Sequence, residues 1–171
     1  MGELKALANQ KIDAEREKLC KAILGQIESL KRQHAAKGLL RSGNTVIAVV
    51  DICLSSVDSL ARTIVAEYRW AIAQALVVSQ SWVEELVAES SRHLLPLQEK
   101  CLAHIATEAK FAEAKSAIVQ CQERLSAKVT EVSDDIALSL RTSFAERKRN
   151  LFRSIVGAIP RWITKLLSGG K

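Results

Sequence analysis

The chain has 171 residues, of which 48% are hydrophobic, 26% charged and 4% aromatic, with a formal net charge of +6. One domain is the natural prior for this length, and about two-thirds of the unfolded surface can be buried. Seven glycines and two prolines set against abundant Ala and Leu favour an all-α protein packed through aliphatic side chains.

The charge is unevenly placed. Residues 141–171 carry eight Lys/Arg against the single acid Glu146, a net of +7, and residues 1–140 carry 17 against 18, a net of −1. Such asymmetry suggests an anionic membrane surface or a polyanion as partner of the basic part. Cys20, Cys53, Cys101 and Cys121 form no CxxC pattern and are expected to be reduced, core-lining thiols of a cytoplasmic protein. The opening Met-Gly-Glu-Leu-Lys has no apolar core, so no signal peptide is expected. The longest uncharged stretch, residues 70–83, suits a buried helix better than a membrane span.

The first helix is predicted over residues 3–37. Leu4, Leu7, Ile12, Leu19, Ile23, Ile27 and Leu30 keep helical spacing between strongly charged neighbours, which gives one apolar face and a solvated back. Gly38 is a natural C-cap. Ser42, Gly43 and Asn44 then form a turn, with Asn44 able to cap the second helix.

Residues 45–94 read as one long spine helix. Its main stripe runs through Val46, Val50, Cys53, Val57, Leu60, Ile64, Tyr68, Ala71, Ala75, Val78, Trp82 and Leu86, with a second apolar row beside it. Together the rows are too wide for one partner helix. The back face, including Ile52, Ser55, Ser59, Thr63, Ala66, Trp70 and Val77, is small and uncharged. It is expected to meet a fourth helix or a second copy, with Ile52, Trp70 and Val77 as the self-association residues.

Pro96 is expected to end the spine, because the residue before a proline avoids the helical region. A third helix from about residue 97 to 146 would return alongside it, carrying Cys101, Ile105, Leu125, Val132, Ile136, Leu140 and Phe144 inward. In this register helix one covers the spine only to about residues 76–80. The hairpin tip at Pro96 is left bare, and the chain's basic end lies beside the turn at residues 38–44.

The last segment, residues 147–168, is strongly amphipathic. Leu151, Phe152, Ile155, Val156, Ile159, Trp162, Ile163, Leu166 and Leu167 fall within about 160° of arc at ~100° per residue. Arg153, Arg161 and Lys165 lie on the other side, and Arg147, Lys148 and Arg149 precede the run. Pro160 is expected to kink the helix near Ala158. A wide apolar face opposite Lys/Arg, with Trp162 at its boundary, is the pattern of a helix lying in a membrane interface.

No catalytic or metal constellation is visible. His34, His93 and His104 are scattered, Cys101 and His104 lack a second pair, and Asp134-Asp135 reads as a helix-start signal. Phosphate-loop and dinucleotide glycine patterns are absent.

The expected architecture is an elongated antiparallel three-helix bundle over residues 1–146, made of a long helical hairpin plus the N-terminal helix. Residues 147–171 form a kinked basic amphipathic helix after it. The expected function is that of a non-enzymatic, cofactor-free, cytoplasmic scaffold or adaptor that self-associates. It would contact an anionic membrane surface or a partner protein through the C-terminal helix, peripherally at the membrane. Two other readings use the same residues: nucleic-acid binding through the Arg/Lys cluster, and membrane insertion of the charge-poor spine in the manner of a helical pore former. Asp51, Asp58, Arg62, Glu67 and Arg69 make such a span costly.

Overall fold

The computed structural model describes residues 2–113 and 115–158, apart from the side chains of 115–117, 152 and 154–158. The described chain is all-helical, in four helices: α1 (Gly2–Ala36), α2 (Gly43–Gln74), α3 (Gln80–Phe111) and α4 (Lys115–Ala158).

The expected spine is therefore divided between α2 and α3, the expected third helix of residues 97–146 is broken between Phe111 and Lys115 and runs on past residue 146, and the three-helix count is corrected to four. The spine's break falls at residues 75–79, where Ala75 turns extended and Ser79 caps α3 by accepting from the backbone N–H of Trp82 at 3.2 Å. Val77 and Val78 are β-branched, weak helix formers, and a Ser that bonds the N3 amide is a strong start signal. Pro96, expected to end the spine, lies inside α3. Its own position and that of Arg92, whose carbonyl it leaves free, are both exposed, so water can satisfy that group.

The α1–α2 turn follows the expected chemistry. Gly38 adopts φ 70°. The Leu39 amide donates to the His34 carbonyl at 2.8 Å and the Gly38 amide to Ala35 at 3.1 Å, the paired bonds of a glycine-terminated helix end. The N-cap of α2 is Ser42 and not Asn44. Thr45 Oγ1 donates to the Leu39 carbonyl and accepts from His34 Nδ1, each at 2.8 Å.

Contacts give the directions. α1 and α2 are antiparallel, with Lys11 on Glu67 and His34 on Thr45. α1 and α3 are parallel, with Asp13 on His93 and Lys31 on Glu108. α4 runs parallel to α2 and antiparallel to α3. α2 touches all three other helices, and α1 and α4 flank the α2–α3 pair without meeting among the described residues. The wide apolar surface read from α2 has this cause: Val46, Val50, Cys53, Val57, Leu60, Ile64, Tyr68 and Ile72 are all buried. The expectation of a bare tip at Pro96 fails, because α1 runs beside that stretch of α3.

A polar cluster fixes how α1 sits. Tyr68 Oη donates to Asn9 Oδ1 at 2.8 Å, and His93 Nδ1 donates to Asp13 Oδ1 at 3.0 Å. His93 Nε2 lies 3.1 Å from Tyr68 Oη and 3.3 Å from Asn9 Oδ1. Tyr68 is fully buried and His93 nearly so. Burial raises the Tyr68 phenol above its ordinary range, helped by Glu89 and Asp13, so it remains a donor. Sliding α1 by one turn would strand these groups, at about 1–3 kcal/mol for each one buried unpaired.

Candidate functional site

α4 carries the basic segment, and its course decides where that segment emerges. Along α2, Arg124 pairs with Asp51 at 3.3 Å and Lys128 with Asp58 at 3.0 Å. Across α3, Arg141 grips Glu84 through two bonds of 2.9 and 2.7 Å. The guanidinium holds the Glu84 carboxyl below its ordinary range, and Glu131 and Asp58 raise the Lys128 ammonium. Exposed pairs of this kind stabilise little; their value is that they report the register.

At the end of that register stands Arg147. Its guanidinium donates from Nη1 to the Ile72 carbonyl and from Nη2 to the Ala75 carbonyl. These are orphan acceptors at the C-terminus of α2, where a cation also meets the negative end of the helix dipole. Arg147 is thus level with the last turn of α2, and α4 continues unbroken through residue 158. The 11 residues 148–158 extend about 16 Å farther at ~1.5 Å per residue. The basic segment leaves the bundle beside the α2–α3 loop and the start of α1. The expectation that it would lie beside the turn at residues 38–44 is corrected: it emerges at the opposite end.

The α2–α3 loop at this tip is unusually apolar. Leu76 is 95% exposed and Val77 72%. A cleft beside them is lined by Val78, Phe144, Arg147, Lys148 and Leu151, and Leu151 is itself 52% exposed. A second cleft, lined by Arg69, Trp70, Ala73, Glu146 and Asn150, shares Arg147 and Leu151 with it. The tip therefore sets bare aliphatic groups among cations.

Of the residues expected to make the membrane or partner contact, Lys148, Arg149, Leu151 and Arg153 are exposed on the projecting part of α4. Phe152, Ile155 and Val156 belong to the same helical stretch. Ile159, Arg161, Trp162, Ile163, Lys165, Leu166 and Leu167, and the kink at Pro160, lie outside the described residues. Arg147 has acquired a second role as the cap of α2.

The expected self-association residues do not stay together. Ile52 and Trp70 are both half-buried on the back of α2, and Lys11 Nζ sits 4.7 Å from the Trp70 ring centre. Val77 is off the helix, in the loop. Sequence reasoning does not single out Leu76 and Arg69 as part of the tip. The signal present is the Val77-Val78-Ser79 run, which periodicity alone reads as helix interior.

Nothing at the tip resembles a catalytic constellation, and the Tyr68–His93 cluster is buried where no substrate would reach it. Among the described residues no group of three His, Cys, Asp or Glu is placed to hold a metal ion. Cys101 is raised well above the ordinary thiol range, by its side-chain hydrogen bond to Cys53 and then by burial, as suits a core thiol.

Replacing Arg147 by Ala removes both bonds to the end of α2. The expected outcome is a loss of about 2 kcal/mol and faster amide hydrogen exchange over residues 72–79, with exchange near Gly38 unaltered. Unchanged exchange over 72–79 would contradict the capping role. No protein-family model, curated protein or solved structure matches this chain.

Proposed function

We propose that this chain is a non-enzymatic helical scaffold or adaptor of the cytoplasm, and that the projecting basic end of α4 docks it on an anionic membrane surface. The observation that carries the reading is charge without compensation. Lys148, Arg149 and Arg153 have no carboxylate at ion-pair distance among the described residues, whereas Glu84 and Glu85 at the same end are held by Arg141 and Lys5. Cations near an anionic leaflet contribute about 1 kcal/mol each, and Leu151 on the same stretch adds apolar area.

Nucleic acid would satisfy the same cations, but the most exposed neighbours, Leu76, Val77 and Leu151, are aliphatic, and the aromatic rings in the clefts, Trp70 and Phe144, are half-buried, which suits base stacking poorly. α2 is long and apolar enough to span a membrane by length and composition. Its apolar residues form the centre of the bundle, however, so insertion would require the core to open.

Neutralising the three charges as Lys148→Gln, Arg149→Gln and Arg153→Gln tests the docking. Flotation with phosphatidylserine-containing vesicles is expected to weaken about 100-fold. Unaltered flotation, or steeply salt-dependent binding to generic DNA by a chain that never floats, would reject it.

Self-association is the second part of the proposal. α1 and α4 stand apart, and the strip of α2 between them is floored by Ser55, Ser59, Thr63 and Ala66 with Ile52 and Trp70, small enough for close helix approach. Light scattering of the purified chain is expected to give a mass above the monomer that Trp70→Glu reduces to 18.8 kDa. A monomer before and after the substitution would end this part.

A further inference from the structure

We infer that the α2–α3 loop is a second membrane-insertion element, which enters the bilayer through Leu76 and Val77 beside the basic end of α4. The inference rests on the docking proposed above and gives it an orientation: the bundle meets the bilayer end-on.

Single exposed aliphatic residues are ordinary, but this pair is not isolated. Leu76 and Val77 are adjacent, more exposed than any other large apolar side chain among the described residues, and border the cleft shared with Phe144 and Leu151. The loop is held in place, because Arg147 bonds the Ala75 carbonyl on one side and Ser79 caps α3 on the other. Its exposure is thus fixed by the fold.

Charge identifies the occupant. Glu67, Glu84 and Glu85 at this end are each bound to a cation of their own, Lys11, Arg141 and Lys5, and Glu3 and Glu146, in no ion pair among the described residues, are outnumbered. Arg69, Lys148, Arg149 and Arg153 have no carboxylate at ion-pair distance among the described residues. Aliphatic tips set in a field of uncompensated cations suit a surface with an apolar interior under an anionic rim, which is an anionic lipid bilayer. Trp70 and the self-association strip lie along the helix, so two copies could pair side by side without covering the tip.

The test uses the full chain with Cys20→Ser and Leu76→Cys, the new thiol carrying a nitrobenzoxadiazole label. Vesicles of phosphatidylcholine and phosphatidylserine serve as the probe. The expected result is a blue-shifted, brighter emission on binding and quenching by lipids bearing a spin label in the acyl chain. In the unlabelled chain, Leu76→Asp with Val77→Asp is expected to weaken flotation about tenfold or more, and melting should be unaffected because both side chains are exposed.

A chain that floats while the label stays in water overturns the inference and leaves the α4 docking intact. A chain that does not float removes both. A label that becomes apolar as protein concentration rises, without vesicles, assigns the loop to contact between copies and overturns the inference as well.

Discussion

Arg147 donating to the last carbonyls of α2 is the contact on which the basic end of the molecule depends. α2 stops without glycine or proline, so its terminal acceptors need a partner from elsewhere. A guanidinium from α4 supplies it, and in doing so fixes three things together. It sets the register of α4 along α2, the place where α4 leaves the bundle, and the conformation of the loop that carries Leu76 and Val77. Basic residues and bare aliphatic residues are neighbours because one side chain ties their two elements.

The buried cluster of Asn9, Asp13, Tyr68 and His93 performs the corresponding task for α1. Aliphatic packing alone leaves a helix free to slide or roll among arrangements of similar burial, whereas paired polar groups in a dry interior penalise every register but one. α1 is thereby held on one flank of the α2–α3 pair, and α4 occupies the other. The strip of α2 between them stays open. A helix with three neighbours in its own chain still has a face left over.

Much of this is legible in the residues. The period of apolar positions identifies helices throughout, Gly38 marks the end of α1 with its paired bonds, and composition alone separates the basic C-terminal part from the rest. The reversal of direction at residues 75–79 is not legible. The apolar stripe runs through Ala75, Val78 and Trp82 without losing phase, and Pro96 is the louder signal. Pro96 is tolerated because it faces water, and Ser79 acts because its hydroxyl reaches the amide of Trp82, which no periodicity reveals. Exchanging the expected turn at Pro96 for the one at residues 75–79 leaves the number of reversals unchanged; the break between Phe111 and Lys115, where Glu113 takes φ 55°, adds a reversal and turns round everything after it. For this reason sequence reasoning puts the basic segment at the wrong end of the bundle, although the segment's charge and its helical start are plain from the residues. Leu76 and Val77 look like helix interior in a one-dimensional pattern, and only the turn makes them a tip.

In the proposed orientation the bundle stands on an anionic bilayer with α4 and the α2–α3 loop beneath it. Neutron reflectometry on a supported bilayer containing phosphatidylserine measures this as the thickness of the bound protein layer. With 32 residues in each of α2 and α3, standing end-on predicts a layer about 50 Å thick, at ~1.5 Å per residue. A layer of about 20–30 Å, the width of helices packed 8–10 Å apart, would show the bundle lying on its side and rule out the end-on orientation.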